Sequence, residues 1–375
     1  MKFLMIAGFS DSLLRFRGGL LEACVKAGLE VHVAAPDLAK APLIVGALKK
    51  LGVFSHSVSL RRAGTNPFRD FIDFLAFVRL LVVERPDIVM CYTIKPVIYG
   101  ILAAWVVRVP NRYALITGLG YMFTEHAEKR HRLVSWVVQK LYKLSLGKAH
   151  KVFFQNPDDE RLFRQLDILP DRVPSVVLNG SGVDVSTYQP VPIPLGPIRL
   201  LLIARFLAAK GVRVYVEAAR IVKAMHPDVE FDLVGWIDEN PDAIKQSELD
   251  WWVQNKVVNY LGRLDDVRPA IAGCSIFVLP SYYREGTPRT VLEAMSMGRA
   301  IITTDAPGCR ETVVHGESGF LVPVRNVQKL VEAIVRLVEC PELLDSMGRR
   351  SRQIAEEKYD VGKVNAIFLE EMGIK

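Results

Sequence analysis

The amino-acid sequence predicts an α/β protein with two parallel-sheet domains, and three observations support this prediction. Short apolar runs alternate with longer amphipathic segments along the whole chain, which is the pattern of repeated β-α units. A stretch with four prolines, residues 188–197, interrupts the alternation and separates two blocks. At 375 residues, the chain is also longer than a single hydrophobic core usually supports.

The first block contains apolar runs that suit buried parallel strands. These strand candidates are residues 2–8, 30–36, 54–60, 87–93, 113–118, 151–156 and 175–179. Between the third and the fourth, residues 66–85 carry apolar side chains at helical spacing after Asn66-Pro67, which is a favourable helix start. We expect this block to form a domain over residues 1–188.

The second block repeats the pattern. Its strand candidates are residues 198–205, 229–235, 257–262, 275–280, 300–305 and 320–322, and the helix candidates between them include 212–226 and 287–297. We expect a second domain over residues 189–358 and a C-terminal helix over 359–375 that packs back on the first domain. Because parallel α/β sheets bind ligands beyond the carboxyl ends of their strands, functional motifs should follow strands directly and face a cleft.

Cysteines and apolar runs restrict where the protein works. The five cysteines are scattered without a C-x-x-C pair, which disfavours a disulfide framework and a zinc site and fits a reducing compartment. The longest apolar run, residues 97–107, is shorter than the roughly 20 residues that span a bilayer. We therefore expect a cytoplasmic protein that is either soluble or peripheral to a membrane.

Positive charge is concentrated in the first half of the chain. Residues 1–189 contain 25 Lys and Arg against 16 Asp and Glu, whereas residues 190–375 contain 23 against 25. A basic half fits an anionic partner such as a phosphate, a membrane surface or a nucleic acid, although a solvated surface without a partner has the same composition. No RNA- or DNA-binding motif accompanies the charge, so nucleic acid is disfavoured.

The turn after the first strand carries no dinucleotide-binding motif. Neither this turn nor the one after residues 198–205 contains G-x-G-x-x-G, which disfavours nicotinamide and flavin enzymes. Arg17-Gly18-Gly19 instead leads into a helical run over residues 20–27. A Gly-Gly pair at a helix N-terminus lets backbone N–H groups approach an anion or a sugar, and a plain strand-to-helix loop is the alternative.

Two cations follow the first strand of the second block. Arg205 ends that strand, and Lys210-Gly211 opens the next helix. Together with the helix N-terminus they suit a diphosphate, whose negative charge must be neutralised when it acts as a leaving group. The chain has no D-x-D pair to hold a metal ion for this purpose. Two surface cations without a ligand are the alternative.

A loop with two glutamates follows the strand candidate at residues 275–280. Glu285 lies in the loop, and a helix predicted from residue 287 places Glu293 about two turns further on. One carboxylate can then accept hydrogen bonds from the hydroxyls of a sugar while the other reaches a ribose. The amides of residues 286–289 are expected to face phosphate. An exposed loop glutamate and an ordinary helix glutamate are the alternative.

These motifs resemble the signature of the family 4 retaining glycosyltransferases, which have the GT-B fold of two Rossmann-like domains facing a central cleft. The resemblance lies in E-G-T-P-R-T-V-L-E-A-M-S-M-G at 285–298, and the segments around it are similar to family motifs in the same order. Those segments are L-N-G-S-G-V-D at 178–184, I-A-R-F-L-A-A-K-G at 203–211, T-D-A-P-G-C-R-E-T-V at 304–313 and H-G-E-S-G-F-L-V at 315–322.

Within the family, the chain is similar to bacterial enzymes that extend polyprenyl-diphosphate-linked oligosaccharides, such as the N-acetylgalactosaminyltransferases of N-glycan assembly and their O-antigen and capsule relatives. The features that carry this narrower similarity are F-R-G-G at 16–19, Lys95 before G-I-L-A-A at 100–104, and A-L-I-T-G-L-G at 114–120. The resemblance therefore implies a nucleotide-sugar donor, with uridine as the nucleoside and guanosine as the alternative, and a polyprenyl-diphosphate-linked acceptor.

The resemblance also implies a role for each matching residue. Arg205 and Lys210 would bind the donor diphosphate, and Glu285 would hold the hydroxyls of the transferred sugar, so these three carry the catalysis. Glu293 would bind the ribose. The other implied donor contacts are Gly18, Gly19, Gly286, Thr287, Pro288 and, at the base, Arg263; the implied acceptor contacts are Arg17 and Lys95.

One departure from the family pattern concerns the catalytic base. Many members have a histidine after the fifth strand of the first domain, whereas residues 117–121 contain none; His126 and His131 lie just beyond, in a segment predicted to be helical. No carboxylate nucleophile is evident either. The resemblance leaves an internal-return mechanism, in which the acceptor attacks the face from which the diphosphate departs and the phosphate serves as base. No metal ion and no cofactor besides the nucleotide sugar is expected.

The segment over residues 129–144 offers one explanation for the basic first half. It is strongly cationic, with Trp, Tyr and Leu interleaved, so it is predicted to be a helix that lies in an anionic membrane interface at the inner face of the cytoplasmic membrane. A polyprenyl-linked acceptor would require such docking. A partly buried domain helix with a basic outer face is the alternative.

Three functions remain open from the sequence. The first is a metal-independent glycosyltransferase that moves a hexose or N-acetylhexosamine to a lipid-diphosphate-linked saccharide. The others are a nucleotide-sugar epimerase of the same fold and a non-catalytic module that binds a sugar or a phosphate.

Overall fold

A computed structural model of the chain describes residues 1–60, 66–119, 129–238, 240 and 242–374. Of residues 129–133 it describes the backbone alone. The chain divides into two compact units. The first consists of Met1–Ser181 and Gly362–Lys375, and the second of Gly182–Val361. His126 lies outside the described residues, as does the side chain of His131.

The first unit is built on a seven-stranded parallel sheet. Its strands are β1 Lys2–Ile6, β2 Glu30–Ala35, β3 Phe54–Ser57, β4 Ile88–Tyr92, β5 Asn111–Ile116, β6 Lys151–Phe154 and β7 Ser175–Val177. They lie in the order β3-β2-β1-β4-β5-β6-β7. Each strand predicted from an apolar run in the first block is thereby confirmed.

The helices of the first unit alternate with its strands. They are α1 Asp11–Lys26, α2 Pro42–Lys50, α3 Pro67–Glu84, α4 Ile101–Val106, α5 Lys129–Leu146 and α6 Pro157–Gln165; a π-helical turn, Pro96–Gly100, precedes α4. The predicted start of α3 is confirmed, because the side chain of Asn66 accepts hydrogen bonds from the amides of Phe68 and Arg69.

Helix α1 differs from the prediction. It begins at Asp11 and not after Gly19, so Gly18 and Gly19 lie in its interior. The side chains of Leu13, Leu20 and Cys24 are buried at helical spacing along one face of this helix. Burial of such a stripe outweighs the loss of about 1 kcal/mol that each interior glycine brings relative to alanine. The expected Gly-Gly pair at a helix N-terminus is therefore wrong.

The second unit is built on a six-stranded parallel sheet in the order β10-β9-β8-β11-β12-β13. Its strands are β8 Arg199–Phe206, β9 Glu230–Ile237, β10 Asn259–Tyr260, β11 Ile276–Leu279, β12 Ala300–Thr304 and β13 Gly319–Val322. Its helices are α7 Val212–Met225, α8 Gln246–Gln254, α9 Arg268–Ala272, α10 Arg289–Ser296, α11 Val327–Glu339 and α12 Glu342–Lys358. The predicted strands of this block are confirmed as well.

Each sheet has a hydrophobic core on both faces, as parallel strands buried between helical layers require. In the first unit, one core contains Leu20 and Leu21 of α1, and the other contains Phe77 of α3 and Tyr142 of α5. Helices α3, α4 and α5 therefore share one face of the first sheet. Among the described residues, no helix is both long and apolar enough to cross a bilayer.

The last helix, α13 Val361–Glu371, belongs to the first unit from Gly362 onward, so the chain passes between the units twice. Phe368 of α13 is fully buried, with its ring centroid 4.9 Å from that of Phe153 in β6. The first passage falls between Ser181 and Gly182, ahead of the proline-rich stretch at 188–197. That stretch lies in the second unit, where Arg299 donates hydrogen bonds to two of its carbonyl groups.

Candidate active site

The strand order of the second sheet creates a topological switch point between β8 and β11. These strands are neighbours, but the chain leaves β8 toward β9 on one side and leaves β11 toward β12 on the other. The loops that follow such a pair diverge and leave a crevice at the carboxyl edge of the sheet. Lys210 lies in the loop after β8, and Glu285 lies in the loop after β11.

Lys210 and Glu285 form a direct ion pair at this switch point. Their side chains are only 13% and 11% exposed, so each charge compensates the other in a site that is largely shielded from water. The hydroxyl of Ser281 also lies 3.1 Å from Glu285 Oε1, to which it donates, and Lys210 Nζ lies 5.1 Å from the ring centroid of Tyr283. The structure thus brings together two residues that the sequence assigned to one ligand from motifs 75 positions apart.

The two loops are packed directly on each other at Gly211. This residue has a φ of 77°, and an added Cβ would lie 2.0 Å from the carbonyl oxygen of Pro280. The amides of Tyr282 and Tyr283 donate hydrogen bonds of 2.8 and 2.9 Å to the carbonyl oxygen of Ala209. Only glycine satisfies both the backbone angle and the close approach, so Gly211 fixes the position of Lys210 relative to the second loop.

Arg205, at the carboxyl end of β8, is held by a different carboxylate. Its Nη1 lies 2.9 Å from Asp238 Oδ2, just after β9. Arg205 and Lys210 thus lie in the same short segment but have separate acidic partners. Asp238 was not found from the sequence; its position directly after a strand was the signal that could have indicated it.

Glu293 lies in α10 and is 6% exposed. Arg289 Nε lies 2.8 Å from Glu293 Oε1, and the Tyr188 hydroxyl donates to the same oxygen at 3.1 Å. Helix α10 begins at Arg289, two residues later than predicted, and Pro288 takes the extended conformation that precedes it. The helix start expected at residue 287 is wrong, because Pro288 disfavours helical geometry in the residue before it.

The loop that carries Glu285, Gly286 and Thr287 is supported by the loop after β12. Gly308 there has a φ of 82°, and an added Cβ would lie 2.5 Å from the carbonyl oxygen of Gly286 and 2.7 Å from that of Glu285. This close approach explains why the segment T-D-A-P-G at 304–308 ends in glycine. Three loops at the carboxyl edge, after β8, β11 and β12, converge on the Lys210–Glu285 pair.

Arg263 follows β10 and lies against an aromatic side chain. Its guanidinium carbon is 4.6 Å from the ring centroid of Trp236, near the carboxyl end of β9. A stacked arginine and indole offer a flat surface of the kind that binds a nucleobase. Trp236 was missed in the sequence because no motif singles it out.

In the first unit, Arg17 and Lys95 flank the corresponding switch point between β1 and β4. Arg17 of α1 is 3% exposed, and its guanidinium carbon lies 5.3 Å from the ring centroid of Tyr92 at the end of β4. The hydroxyls of Tyr92 and Ser12 are hydrogen-bonded at 2.7 Å, while burial raises the pKa of Tyr92 to about 12.

Lys95 is fixed by an acidic partner from α3. Its Nζ lies 2.8 Å from Asp70 Oδ1, and the hydroxyl of Tyr99 donates to Asp70 Oδ2 at 3.0 Å.

Gly18 and Gly19 do not present free amides in the way that the sequence suggested, because interior helix amides donate to carbonyl groups of the preceding turn. The physical reason for expecting these two glycines to contact the nucleotide-sugar donor is thereby removed.

Comparison with known proteins agrees with this architecture. Residues 197–340 match a family model described as glycosyl transferases group 1, and residues 15–180 match one described as a glycosyl transferase 4-like domain. The chain is 31% identical over 372 residues to N,N'-diacetylbacillosaminyl-diphospho-undecaprenol alpha-1,3-N-acetylgalactosaminyltransferase of Campylobacter jejuni, covering 96% of this chain and 94% of that protein. It is 22% identical to the capsular polysaccharide biosynthesis glycosyltransferase CapM of Staphylococcus aureus, covering 91% and 89%.

Solved structures share the fold across the whole chain. The structure of Anabaena HepE in complex with UDP has a TM-score of 0.78 at 19% identity and covers 100% of both chains. Sucrose-phosphate synthase from Thermosynechococcus elongatus has a TM-score of 0.79 at 17% identity, covering 99% and 98%. The two parallel Rossmann-like units have the GT-B fold, and the two family models define a glycosyltransferase. The chain belongs to the family 4 glycosyltransferases.

Proposed function

We propose that this glycosyltransferase moves a hexose or N-acetylhexosamine from a UDP-sugar to a saccharide carried on a polyprenyl diphosphate, in bacterial surface glycan synthesis. The observation that carries the proposal is the Lys210–Glu285 pair at the switch point of the second sheet. Support comes from the relative in Campylobacter jejuni and from an Escherichia coli relative, UDP-Gal:alpha-D-GlcNAc-diphosphoundecaprenol alpha-1,3-galactosyltransferase, which is 25% identical over 311 residues.

Donor binding would break the two existing ion pairs. A diphosphate at the carboxyl edge competes with Glu285 for Lys210 and with Asp238 for Arg205. As Lys210 turns to phosphate, Glu285 becomes available to accept hydrogen bonds from sugar hydroxyls. In the absence of donor, the pairing keeps both side chains in place and limits their loss of conformational freedom on binding.

The transfer step would proceed with retention and without a metal ion or a cofactor. The acceptor hydroxyl forms a bond to the anomeric carbon as the bond from that carbon to the diphosphate oxygen breaks on the same face. The acceptor proton passes to the departing phosphate oxygen. The products are the extended glycan and the nucleoside diphosphate, whose growing negative charge is stabilised by Arg205 and Lys210.

The nucleoside would lie between α10 and the end of β9. Glu293, oriented by Arg289 and Tyr188, would accept hydrogen bonds from the ribose hydroxyls. Arg263, stacked on Trp236, would contact the base. Gly286, Thr287 and Pro288 would lie against the phosphates and the sugar, since they connect Glu285 to the start of α10.

The acceptor diphosphate would bind at the first unit. Arg17 is nearly buried beside Tyr92, and Lys95 is oriented by Asp70, so both cations have defined positions at the carboxyl edge of the first sheet. Two ordered cations suit a diphosphate better than a neutral sugar.

A membrane surface would present the polyprenyl tail, at the inner face of the cytoplasmic membrane. Helices α3, α4 and α5 share one face of the first sheet, and their outward sides expose large apolar residues. These are Phe68, Phe71, Ile72, Leu75, Val82 and Val83 on α3, Trp105 and Val106 on α4, and Trp136, Val137 and Leu144 on α5. Lys148 and Lys140 lie over the rings of Trp105 and Trp136 at 4.2 and 5.8 Å, an arrangement that suits an anionic interface.

A donor panel with and without acceptor tests the proposed reaction. The protein is incubated with UDP-sugars in the presence or absence of a polyprenyl-diphosphate-linked saccharide, and the release of UDP is measured. Release that depends on the acceptor supports transfer. Conversion of the donor without acceptor would indicate a nucleotide-sugar epimerase, and binding without turnover would indicate a non-catalytic module; either result contradicts the proposal.

A further inference from the structure

Three potential metal ligands meet near the amino ends of β1 and β2, away from the carboxyl edge that carries the active site. His32 comes from β2, His56 from the neighbouring strand β3, and Glu84 from the last residue of α3. One ligand atom from each lies within 4.8 Å of the other two. The side chains are 7%, 23% and 17% exposed, so the cluster is largely withdrawn from solvent.

The distances within the cluster approach those of a tetrahedral site. His32 Nδ1 lies 2.8 Å from His56 Nε2 and 3.5 Å from Glu84 Oε2. Ligand atoms about 2.0–2.2 Å from a zinc ion are separated from each other by roughly 3.3 Å in a tetrahedron. The observed separations lie on either side of that value, so an ion can enter with small rotations of the side chains.

The carboxylate of Glu30, which is not one of the three ligands, fixes the tautomer of His32. His32 Nε2 lies 2.8 Å from Glu30 Oε1, which accepts only if Nε2 carries the proton. The lone pair of His32 then lies on Nδ1, where it accepts a hydrogen bond from His56 Nε2. An ion bound to both nitrogens replaces this hydrogen bond and leaves the proton of His56 on Nδ1. A histidine that donates its second N–H to a carboxylate is the arrangement found around metal-binding histidines.

Charge in the cluster also favours a cation. Glu30 and Glu84 contribute two negative charges, and the ammonium of Lys2 lies 3.1 and 3.2 Å from them and compensates one. His56 Nδ1 lies 3.7 Å from Glu84 Oε1, too far for a hydrogen bond.

We propose that His32, His56 and Glu84 form a site for a divalent ion of the zinc class, with Glu30 as the orienting carboxylate and a water molecule as the fourth ligand. Two imidazoles and one carboxylate suit zinc and disfavour magnesium. The ion would tie the end of α3 to two strands, and the start of the same helix carries Asp70, which orients Lys95. The sequence offered no sign of this site, because its ligands come from three separate elements.

Zinc binding by the full-length protein tests the proposal directly. The protein is stripped with EDTA, dialysed against zinc chloride or magnesium chloride, and measured for bound metal and for Tm. We expect stoichiometric zinc, and a Tm higher by at least ~3 °C with zinc but not with magnesium. Absence of retained zinc, or an equal Tm in both dialysates, would overturn the site.

Variants separate metal binding from the hydrogen-bond network. His56→Ala should lose the zinc and the zinc-dependent rise in Tm. His56→Cys, which supplies a thiolate ligand but not the imidazole hydrogen bond, should retain zinc. His226→Ala is the matched control, because His226 lies 3.6 Å from Glu339 in the second unit and should leave zinc content unchanged. Equal zinc in the wild type and in His56→Ala contradicts the proposal even if all variants fold.

Discussion

At the scale of single residues, the ion pair of Lys210 and Glu285 is the central charge interaction of the candidate site. Both side chains are largely buried, and removal of one takes away the ion-pair partner of the other, which typically costs about 3–5 kcal/mol in such pairs. The same two residues are the ones proposed to bind opposite ends of the reacting bond. Any substitution there therefore has to be judged by stability and by turnover together.

Lys210→Ala and Glu285→Ala should each lower turnover by at least ~100-fold, since one charge-stabilising group in a preorganised site is worth about that much. Acceptor-dependent release of the nucleoside diphosphate is the measurement, with Tm recorded for each variant. Glu285→Gln keeps hydrogen-bonding capacity without the charge and guards against loss of the fold. Lys329→Ala, from an exposed pair with Glu332, is the control. Wild-type turnover in both alanine variants, with the fold intact, would refute the site.

At the scale of elements, helix α1 shows how packing overrides local preference. Gly18 and Gly19 suggest a helix start, but the chain is already helical from Asp11. An interior glycine retains a conformational penalty that a side chain would remove, provided that the added atom has room. An added Cβ at Gly18 would meet no atom within 4 Å.

Gly18→Ala should therefore raise the free energy of unfolding by about 0.5–1 kcal/mol. Chemical denaturation measures the change. Gly211→Ala provides the opposite case, because its Cβ would meet the carbonyl oxygen of Pro280 and the variant should be destabilised. The Michaelis constant for the nucleotide sugar should not change in Gly18→Ala. A tenfold increase would restore Gly18 as a donor contact.

Helix α5 carries the predicted membrane contact, and the chain contains a matched pair to test it. Trp136 of α5 is 56% exposed beneath Lys140, whereas Trp251 of α8 is 47% exposed beneath Arg220, at nearly the same distance. In flotation with vesicles that contain anionic lipid, Trp136→Ala combined with Lys140→Ser should reduce binding by several-fold at low salt. Trp251→Ala combined with Arg220→Ser should bind like the wild type. Wild-type protein that stays unbound at low salt would rule out docking.

At the scale of the whole molecule, the chain crosses between its two units twice, and the returning helix completes the first core. Phe368 is fully buried against Phe153, and Lys151 forms an ion pair of 2.6 Å with Glu371. The hydroxyl of Tyr113 donates to the carbonyl oxygen of Met372 at 3.3 Å. The last residues of the chain are thus part of the first unit rather than an appendage.

Phe368→Ala should destabilise the protein by about 3–5 kcal/mol, because a large ring is removed from a close-packed core. Thermal or denaturant unfolding measures the loss, and Phe68→Ala, at an exposed position on α3, is the control that should change little. Equal stability of the two variants would mean that α13 contributes little to the first core.

Chelation tests the whole enzyme for a metal requirement. Because Arg205 and Lys210 are proposed to neutralise the leaving diphosphate, EDTA should leave turnover at 25 °C unchanged within about twofold. The Tm of the same sample should fall if the cluster of His32, His56 and Glu84, here called the His32 cluster, holds zinc. A loss of turnover that magnesium or manganese restores, while Tm stays constant, would contradict a metal-independent transfer step.

The sequence by itself determined the positions of the strands and the motifs that follow them. Apolar runs report the strands directly, because a strand buried on both faces requires an almost continuous run of apolar residues. Strand ends in turn place Lys210 and Glu285 at a carboxyl edge, and the family resemblance supplied their roles. The inferences about strands and strand ends succeeded because each depends on residues that are close in the chain.

Only the tertiary structure decided which side chains meet. The Lys210–Glu285 pair was expected to share a ligand, but its direct contact depends on the order of β8 and β11. The partners Asp238 and Tyr188, like the His32 cluster, come from separate elements and leave no local pattern. The apolar spacing of α3 predicted its helix correctly, yet packing on the sheet buries Phe77 and leaves Phe71 exposed. Periodicity defines the stripes of a helix, and the neighbouring elements determine which of them is covered.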